Sequence, residues 1–176
     1  SKHRRDGARL ACGAGCDACC HIPLAVTALE AFAAAEVVRA DQALAAHVRI
    51  AGPVVQAAAP AERWKQRVPC ALLRDGRGQA YDARPLPCRA YSSFDADRCN
   101  HALRTGDRDA QLGIPLWELP HTFAAAVRKA VRAACVAEGV EDAHIELSGA
   151  VAVILTDSSS ANRWLAGETV FAAPRA

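Results

Sequence analysis

The chain has 176 residues, of which 52% are hydrophobic but only 5% aromatic, and its formal net charge at pH 7 is +2. This length suits one domain with a real core. The near-neutral charge, without a basic run interleaved with aromatics, argues against nucleic acid as a partner. No apolar stretch approaches the roughly 20 residues that a membrane-spanning helix needs, so we expect no membrane partner either.

The first part of the chain combines a polar terminus, a cysteine-rich loop and a helix. Residues 1–11 predict a flexible N-terminus and residues 12–23 a loop. Thr27 and Glu30 have the capping-box spacing, which predicts that a helix starts there and runs to about Val48. The apolar stripe expected on this helix comprises Leu29, Ala33, Val37, Ala40, Leu44 and Val48.

The middle of the chain is dominated by helix breakers and turn signals. The Gly-Pro pair at 52–53 is expected to interrupt the helix, with a second helical piece ending at Trp64. The Asp-Gly pair at 75–76 lies between two short apolar runs and is compatible with one small β-hairpin. The proline-rich and polar segment 84–120 predicts short helices and loops.

The C-terminal part predicts regular helices. One helix should run from about His121 to Glu138 and end at Gly139. Segment 145–156 predicts a buried helix, although its residues 151–155 fit a strand equally well. A last short helix should carry Trp164. The apolar stripe expected on the long helix comprises Phe123, Val127, Val131 and Cys135.

Together these patterns predict a mainly α fold. We expect a single compact helical domain over residues 12–176, with a cysteine-rich loop region and one small β-hairpin. The cysteine-cluster core should span about residues 12–115, and residues 116–176 should form a helical C-terminal part.

Cysteines are the most informative residues of this chain. Four of the eight fall within nine residues near the N-terminus, and three more lie in the irregular middle region. Thiols packed this closely are typical of ligands for a soft metal or an iron–sulfur cluster. Side chains of adjacent residues diverge in helices and strands, so Cys19 and Cys20 either bind two neighbouring metal atoms, or one is a ligand and the other packs or reacts. This favours a polynuclear centre over a single zinc ion. The predicted metal ligands are Cys12, Cys16, Cys19, Cys20, Cys70, Cys88 and Cys99.

The remaining features concern charge and redox state. Thiolates around a metal leave net negative charge, which Arg84 and Arg89 on either side of Cys88 are expected to offset by helping to hold the cofactor. Cys135 lies on the apolar stripe of a regular helix and is expected to be a core residue. The alanine-rich helices can form a core without disulfides, which favours a reducing, cytoplasmic location.

Several short motifs follow one another along the chain: the cysteine quartet from Cys12 to Cys20, Thr27-x-x-Glu30, Pro69-Cys70-Ala-Leu-Leu, Tyr81-Asp-Ala-Arg84-Pro85-x-x-Cys88-Arg89-x-Tyr91, Cys99 and Gly113-Ile-Pro115. In these motifs residues 12 to about 115 resemble the CxxCxxCC cysteine-cluster family (YkgJ type), whose members are regarded as zinc- or iron-chelating domains. The resemblance implies a metal-chelating domain, sometimes fused to or encoded beside enzymes, without a single established reaction. Related cysteine-rich segments occur in a flagellin lysine methylase, which suggests an iron–sulfur centre.

One position departs from the family pattern. The family usually has a cysteine three residues before the tyrosine of its Tyr-x-x-Arg-Pro motif, and here that residue is Gly78. Seven clustered thiols cannot fill two independent four-cysteine sites. One four-ligand cluster with spare cysteines fits, as does a pair of sites completed by histidine or solvent. His21 and His101 are the candidate replacements.

The leading interpretation is a small cytoplasmic protein that holds an iron–sulfur cluster of the four-iron type. Its expected role is electron transfer, sensing or the maturation of another protein, with a protein partner or redox enzyme. A zinc-chelating structural or interaction domain is the alternative. A metalloenzyme with an open coordination position is the third, and Gly78 is its only indication in the sequence.

Overall fold

The computed structural model describes residues 9–13, 15–142 and 144–171, so residues 1–8 of the predicted flexible terminus lie outside it. Within these ranges the chain is mainly helical, with two small antiparallel sheets of two strands each, which confirms the predicted fold class. The helices are α1 (Ala28–Arg39), α2 (Gln42–Ala57), α3 (Pro60–Lys65), α4 (Leu86–Ala90), α5 (Ala96–Thr105), α6 (Arg108–Leu112), α7 (Glu118–Ala137), α8 (Leu147–Thr156) and α9 (Ser160–Leu165). The strands are β1 (Ala25–Val26), β2 (Leu73–Arg74), β3 (Arg77–Gly78) and β4 (Ile145–Glu146), and a 3₁₀ turn spans Ala18–His21.

The core is built around α8, which packs against α2 and α1. Small residues line these contacts and let the helix backbones come close together. At Gly52 of α2, a Cβ atom would lie 2.5 Å from the Ser148 carbonyl oxygen and 2.6 Å from the Ala152 Cβ, both on α8. Only glycine fits this crossing, because real Cβ atoms essentially never approach other atoms that closely.

Gly52→Ala is therefore expected to destabilise the fold by about 2–3 kcal/mol, since the backbones of α2 and α8 must move apart. The measurement is urea unfolding followed by far-UV circular dichroism. Gly113→Ala is the control, because Gly113 has an ordinary φ of −79° after α6. A Cβ there would meet no atom closer than the Asp109 carbonyl oxygen at 3.4 Å, an ordinary contact distance. We expect Gly113→Ala to change stability by no more than about 1 kcal/mol. Equal losses in the two variants would contradict this account.

The prediction of one helix from Thr27 to about Val48 is wrong, because the structure has two helices there, α1 and α2. α1 ends at Arg39, and α2 begins at Gln42 because the Asp41 carboxylate caps it, accepting the Leu44 N–H at 2.9 Å. The predicted interruption at residues 52–53 is wrong, since α2 continues through Pro53 to Ala57. Proline there removes only one helical hydrogen bond, and packing against α8 compensates for it.

The apolar stripe predicted for α1 does not lie on the face of the helix that is buried. Leu29 is 49% exposed, whereas Leu44 and Val48 on α2 are buried as predicted. Short side chains face α8 because they allow a closer approach than leucine would. The buried residues of α1 are Ala28, Ala31, Ala34, Ala35 and Val38.

The C-terminal elements agree better with the sequence. α7 starts three residues before the predicted His121 and ends at Ala137, and the predicted stop residue Gly139 follows two residues later at a φ of 71°. Cys135 is buried as predicted, but Phe123 is 66% exposed, so the stripe is buried only in part. Segment 147–156 is the buried helix α8, which excludes the strand alternative. In the described part of the chain, no helix is long and apolar enough to cross a membrane.

Two short strand pairs position the site. β2 and β3 form the predicted hairpin, with Leu73 opposite Gly78 and left-handed conformations at Asp75 and Gly76. β1 and β4 pair antiparallel, which the sequence patterns did not predict. This second pair joins the end of the cysteine-rich loop to the start of α8.

Candidate metal centre

A cavity of about 640 Å³ lies between the cysteine-rich loop, the β2–β3 hairpin and α4. Leu72, Leu147 and Tyr91 contribute to its wall, and Arg84 lies beside them. Six of the seven cysteines predicted as ligands line this cavity. They are Cys12, Cys16, Cys19, Cys20, Cys70 and Cys88.

The 3₁₀ turn carries Cys19 and Cys20, and a backbone hydrogen bond connects it to Cys70. The Cys20 N–H donates to the Asp17 carbonyl at 2.7 Å, which closes the turn. The Cys20 carbonyl accepts the Cys70 N–H at 2.8 Å, so the loop and the segment before the hairpin are held together. Local hydrogen bonds thereby gather cysteines that are 50 residues apart in sequence.

Ser93 gathers a second set of cysteines. Its backbone N–H lies 3.2 Å from Cys12 Sγ. Burial raises the pKa of Cys99, and the Ser93 side chain opposes that rise. Ser93 is buried, and so is Cys99, which packs with Ala18 and Trp64 outside the cavity lining. The seventh cysteine therefore lies behind the 3₁₀ turn. Sequence reasoning missed Ser93, because a serine in a polar loop carries no distinguishing pattern.

Glu30 sets the position of Cys88. The predicted capping box is present, with the Thr27 N–H donating to Glu30 Oε2 at 2.8 Å. The other carboxylate oxygen accepts the Leu86 N–H at 2.8 Å. This bond ties the N-terminus of α1 to α4, on which Cys88 lies.

The two predicted arginines have different surroundings. The Arg84 guanidinium donates to the Cys88 carbonyl, lies 5.0 Å from the centroid of the Tyr81 ring and borders the cavity. Arg89 is exposed and donates to the carbonyls of Arg84 and Asp82 at 2.7 and 2.9 Å. Arg84 is thus the guanidinium that faces the thiols, whereas Arg89 holds the backbone that carries it.

The adjacent Cys19 and Cys20 thiols interact directly. The hydrogen bond from Cys20 lowers the pKa of Cys19 to about 7, and the positive charge of Arg84 acts in the same direction. The same hydrogen bond raises the pKa of Cys20, as do burial and the neighbouring thiols. Both side chains border the same cavity, although adjacent side chains of a regular helix or strand point apart. Cys19 is the thiol best prepared to act as a thiolate at neutral pH.

The other thiols fall into two groups that share Cys19. Burial raises the pKa of Cys16, and so do Cys12, Cys19 and Cys99. Burial raises the pKa of Cys88 to about 12, with Cys70 and Cys19 adding to the effect and Arg84 opposing it. The first group is Cys12, Cys16, Cys99 and Cys19, and the second is Cys20, Cys70, Cys88 and Cys19.

The candidate replacements for the family cysteine lie away from the cavity lining. His21 Nδ1 is 3.2 Å from the Asp17 carbonyl oxygen, and His101 is exposed on α5. Gly78 does line the cavity, and a Cβ atom at that position would meet nothing within 4 Å. The wall next to Gly78 is therefore open.

A buried polar network behind Cys70 was not predicted from the sequence. Ser148 Oγ lies 3.5 Å from Cys70 Sγ and 3.2 Å from Glu146 Oε1, and Arg63 Nη1 donates to the same Glu146 oxygen at 2.7 Å. Burial raises the pKa of Cys70, while the hydrogen bond from Ser148 lowers it. Arg63 and Glu146 are 83 residues apart in sequence, so no local pattern could connect them.

Cysteine is the most frequent residue type in the cavity lining. Because soft metals prefer sulfur ligands, these side chains suit a soft metal. Arg63 Nη2 and Trp64 Nε1 are buried without an acceptor among the described residues, but neither residue lines the cavity. In the described ranges, no three His, Cys, Asp or Glu side chains are arranged to hold a metal ion.

Comparison with known proteins gave no match to a protein-family model, to a curated protein or to a solved structure. The resemblance to the CxxCxxCC family therefore rests on the motifs alone. Six of the cysteines in these motifs, together with Arg84 and Tyr91, line the cavity.

Proposed function

We propose that this chain is a metal-binding protein that holds an iron–sulfur cluster of the four-iron type. The observation that carries the proposal is the placement of six thiols around one cavity, with a seventh buried behind the 3₁₀ turn. Four thiolates suffice for a four-iron cluster, and when bound it supplies one-electron transfer.

The residues around the thiols support this function in three ways. Cys19, whose pKa is lowered to about 7, forms a thiolate more readily near neutral pH than an ordinary cysteine does. Arg84 provides positive charge next to the thiolates. Leu72, Leu147 and Tyr91 form an apolar wall that limits access of water. We infer a role in electron transfer, sensing or maturation, together with a protein partner or redox enzyme.

The free thiols support a cytoplasmic location. All eight cysteines lack a disulfide partner, including the six that meet at the cavity. In an oxidising compartment, thiols this close together would be prone to form disulfides, whereas the reducing cytosol preserves them.

A zinc-binding structural or interaction domain is the second candidate, and one observation favours it. The thiols that shift one another's pKa fall into two sets of four that share Cys19. Four thiolates complete the tetrahedral coordination of zinc. Two zinc ions would therefore be accommodated if the Cys19 sulfur bridged them.

The deciding experiment is metal and sulfide analysis of protein purified without oxygen, combined with its absorption spectrum. The proposal predicts about four iron atoms and four acid-labile sulfides per chain and visible absorption. Colourless protein with about two zinc ions, which unfolds when a chelator removes them, would establish the zinc candidate instead. Protein that takes up neither iron nor zinc would contradict both.

A further inference from the structure

Arg63 is the most deeply buried charged residue among those that the structure describes, at 1% exposure. Its guanidinium forms an ion pair with Glu146, with Nη1 and Oε1 2.7 Å apart. The other oxygen of Glu146 accepts the Gly149 N–H at 2.9 Å, which caps α8. The carboxylate is therefore held from two sides, and its orientation towards Ser148 is fixed.

Ser148 connects this ion pair to the cavity. Its Oγ accepts the Ala71 N–H at 3.1 Å, which leaves the hydroxyl hydrogen free to donate. Two acceptors lie within reach, Glu146 Oε1 at 3.2 Å and Cys70 Sγ at 3.5 Å. A hydroxyl has one hydrogen and can serve only one of them at a time.

We propose that Ser148 is a positioning residue for the Cys70 sulfur, donating to it when a metal is bound, and that Arg63 acts on this bond through Glu146. The inference rests on the proposed metal centre. A metal-bound thiolate is a stronger acceptor than a neutral thiol, and such hydrogen bonds help to set the electronic properties of a metal centre. Arg63 draws electron density from the carboxylate and so weakens its competition for the Ser148 hydrogen.

The test uses Co²⁺ alone, added without oxygen to the full-length chain, and measures the sulfur-to-cobalt charge-transfer band. A hydrogen bond to sulfur stabilises its lone pairs and raises the transition energy. Ser148→Ala is therefore expected to move the band to longer wavelength. Ser160→Ala is the matched control, because Ser160 is equally buried but lies on α9, away from the cavity. Its band should stay where the wild-type band lies.

A double variant, Arg63→Met with Glu146→Gln, tests the same idea in the opposite direction. The glutamine oxygen can still cap α8, and its amide can donate to Ser148 Oγ, which commits the hydroxyl hydrogen to Cys70. The band should then move to shorter wavelength. This variant keeps the proposal testable if Ser148→Ala does not fold.

The possible outcomes distinguish a failure of the role proposed for Ser148 from a failure of the proposed metal centre. Bands that coincide with the wild-type band in both Ser148→Ala and the double variant, at equal Co²⁺ content, would overturn the role of Ser148 alone. Wild-type protein that binds no Co²⁺ and, after purification without oxygen, contains neither iron nor zinc would overturn the metal centre, and the inference with it. A merely structural Ser148 would lower stability without moving the band.

Discussion

Cys19→Ser is expected to lower metal affinity by at least about 100-fold. Substitution of residues around the ligands can already lower affinity by that much, and the loss of a ligand should cost no less. Cys19 belongs to both thiol groups, and its pKa is already lowered to about 7. Serine is similar in size, but its hydroxyl stays protonated and its hard oxygen is a poor ligand for soft metals. The measurement is metal content per chain after anaerobic dialysis, followed by competition with a chromophoric chelator.

Cys135→Ser is the matched control for this variant. Cys135 is buried on α7 in the helical core and does not line the cavity. We expect this variant to keep the full metal content while losing some stability, because a hydroxyl replaces an apolar thiol in the core. A Cys19→Ser protein with undiminished metal affinity would refute the assignment of Cys19 to the centre. So would an equal loss of metal in Cys135→Ser.

Arg63→Ala is expected to destabilise the metal-free protein by about 3–5 kcal/mol, since it leaves the Glu146 carboxylate without its cationic partner in a largely buried site. Arg63 is 1% exposed, and the side chain of Glu146 is 14% exposed, so water can replace the lost guanidinium only in part. The measurement is the free energy of unfolding in urea, followed by far-UV circular dichroism in the presence of a chelator.

Arg74→Ala provides the comparison, because Arg74 forms an ion pair of similar length with Asp41, at 2.8 Å, but with both partners in contact with solvent. This substitution should cost less than about 1 kcal/mol. Replacing both members of the buried pair, Arg63→Met with Glu146→Gln, should recover most of the stability lost in Arg63→Ala. A double variant as unstable as the single one would show that the unpaired carboxylate is not the cause.

Local signals predicted the elements that depend on neighbouring residues. The capping box at Thr27, the Asp-Gly turn of the hairpin and the long helix ending at Gly139 are all present. Each needs only residues a few positions apart, so the sequence contains the whole interaction. The break between α1 and α2 was misplaced because Asp41 caps a helix without the partner that completes a capping box.

The buried faces were less predictable. Leu29 and Phe123 were expected in the core from helical periodicity, yet both are largely exposed. Four of the five buried residues of α1 are alanines, and periodicity of large apolar residues does not register such small side chains. Which face of a helix is buried depends on the shape of the helix packed against it.

The sequence by itself determined the mainly helical fold, the hairpin and the set of seven cysteines, because these follow from composition, spacing and local hydrogen bonds. Only the tertiary structure determined which thiols lie around the same cavity and which residues contact their sulfur atoms. Ser93 and Ser148 reach their sulfurs, and Arg63 reaches Glu146, across long stretches of sequence. Such contacts depend on how the elements pack in three dimensions, and no local pattern in the chain encodes them.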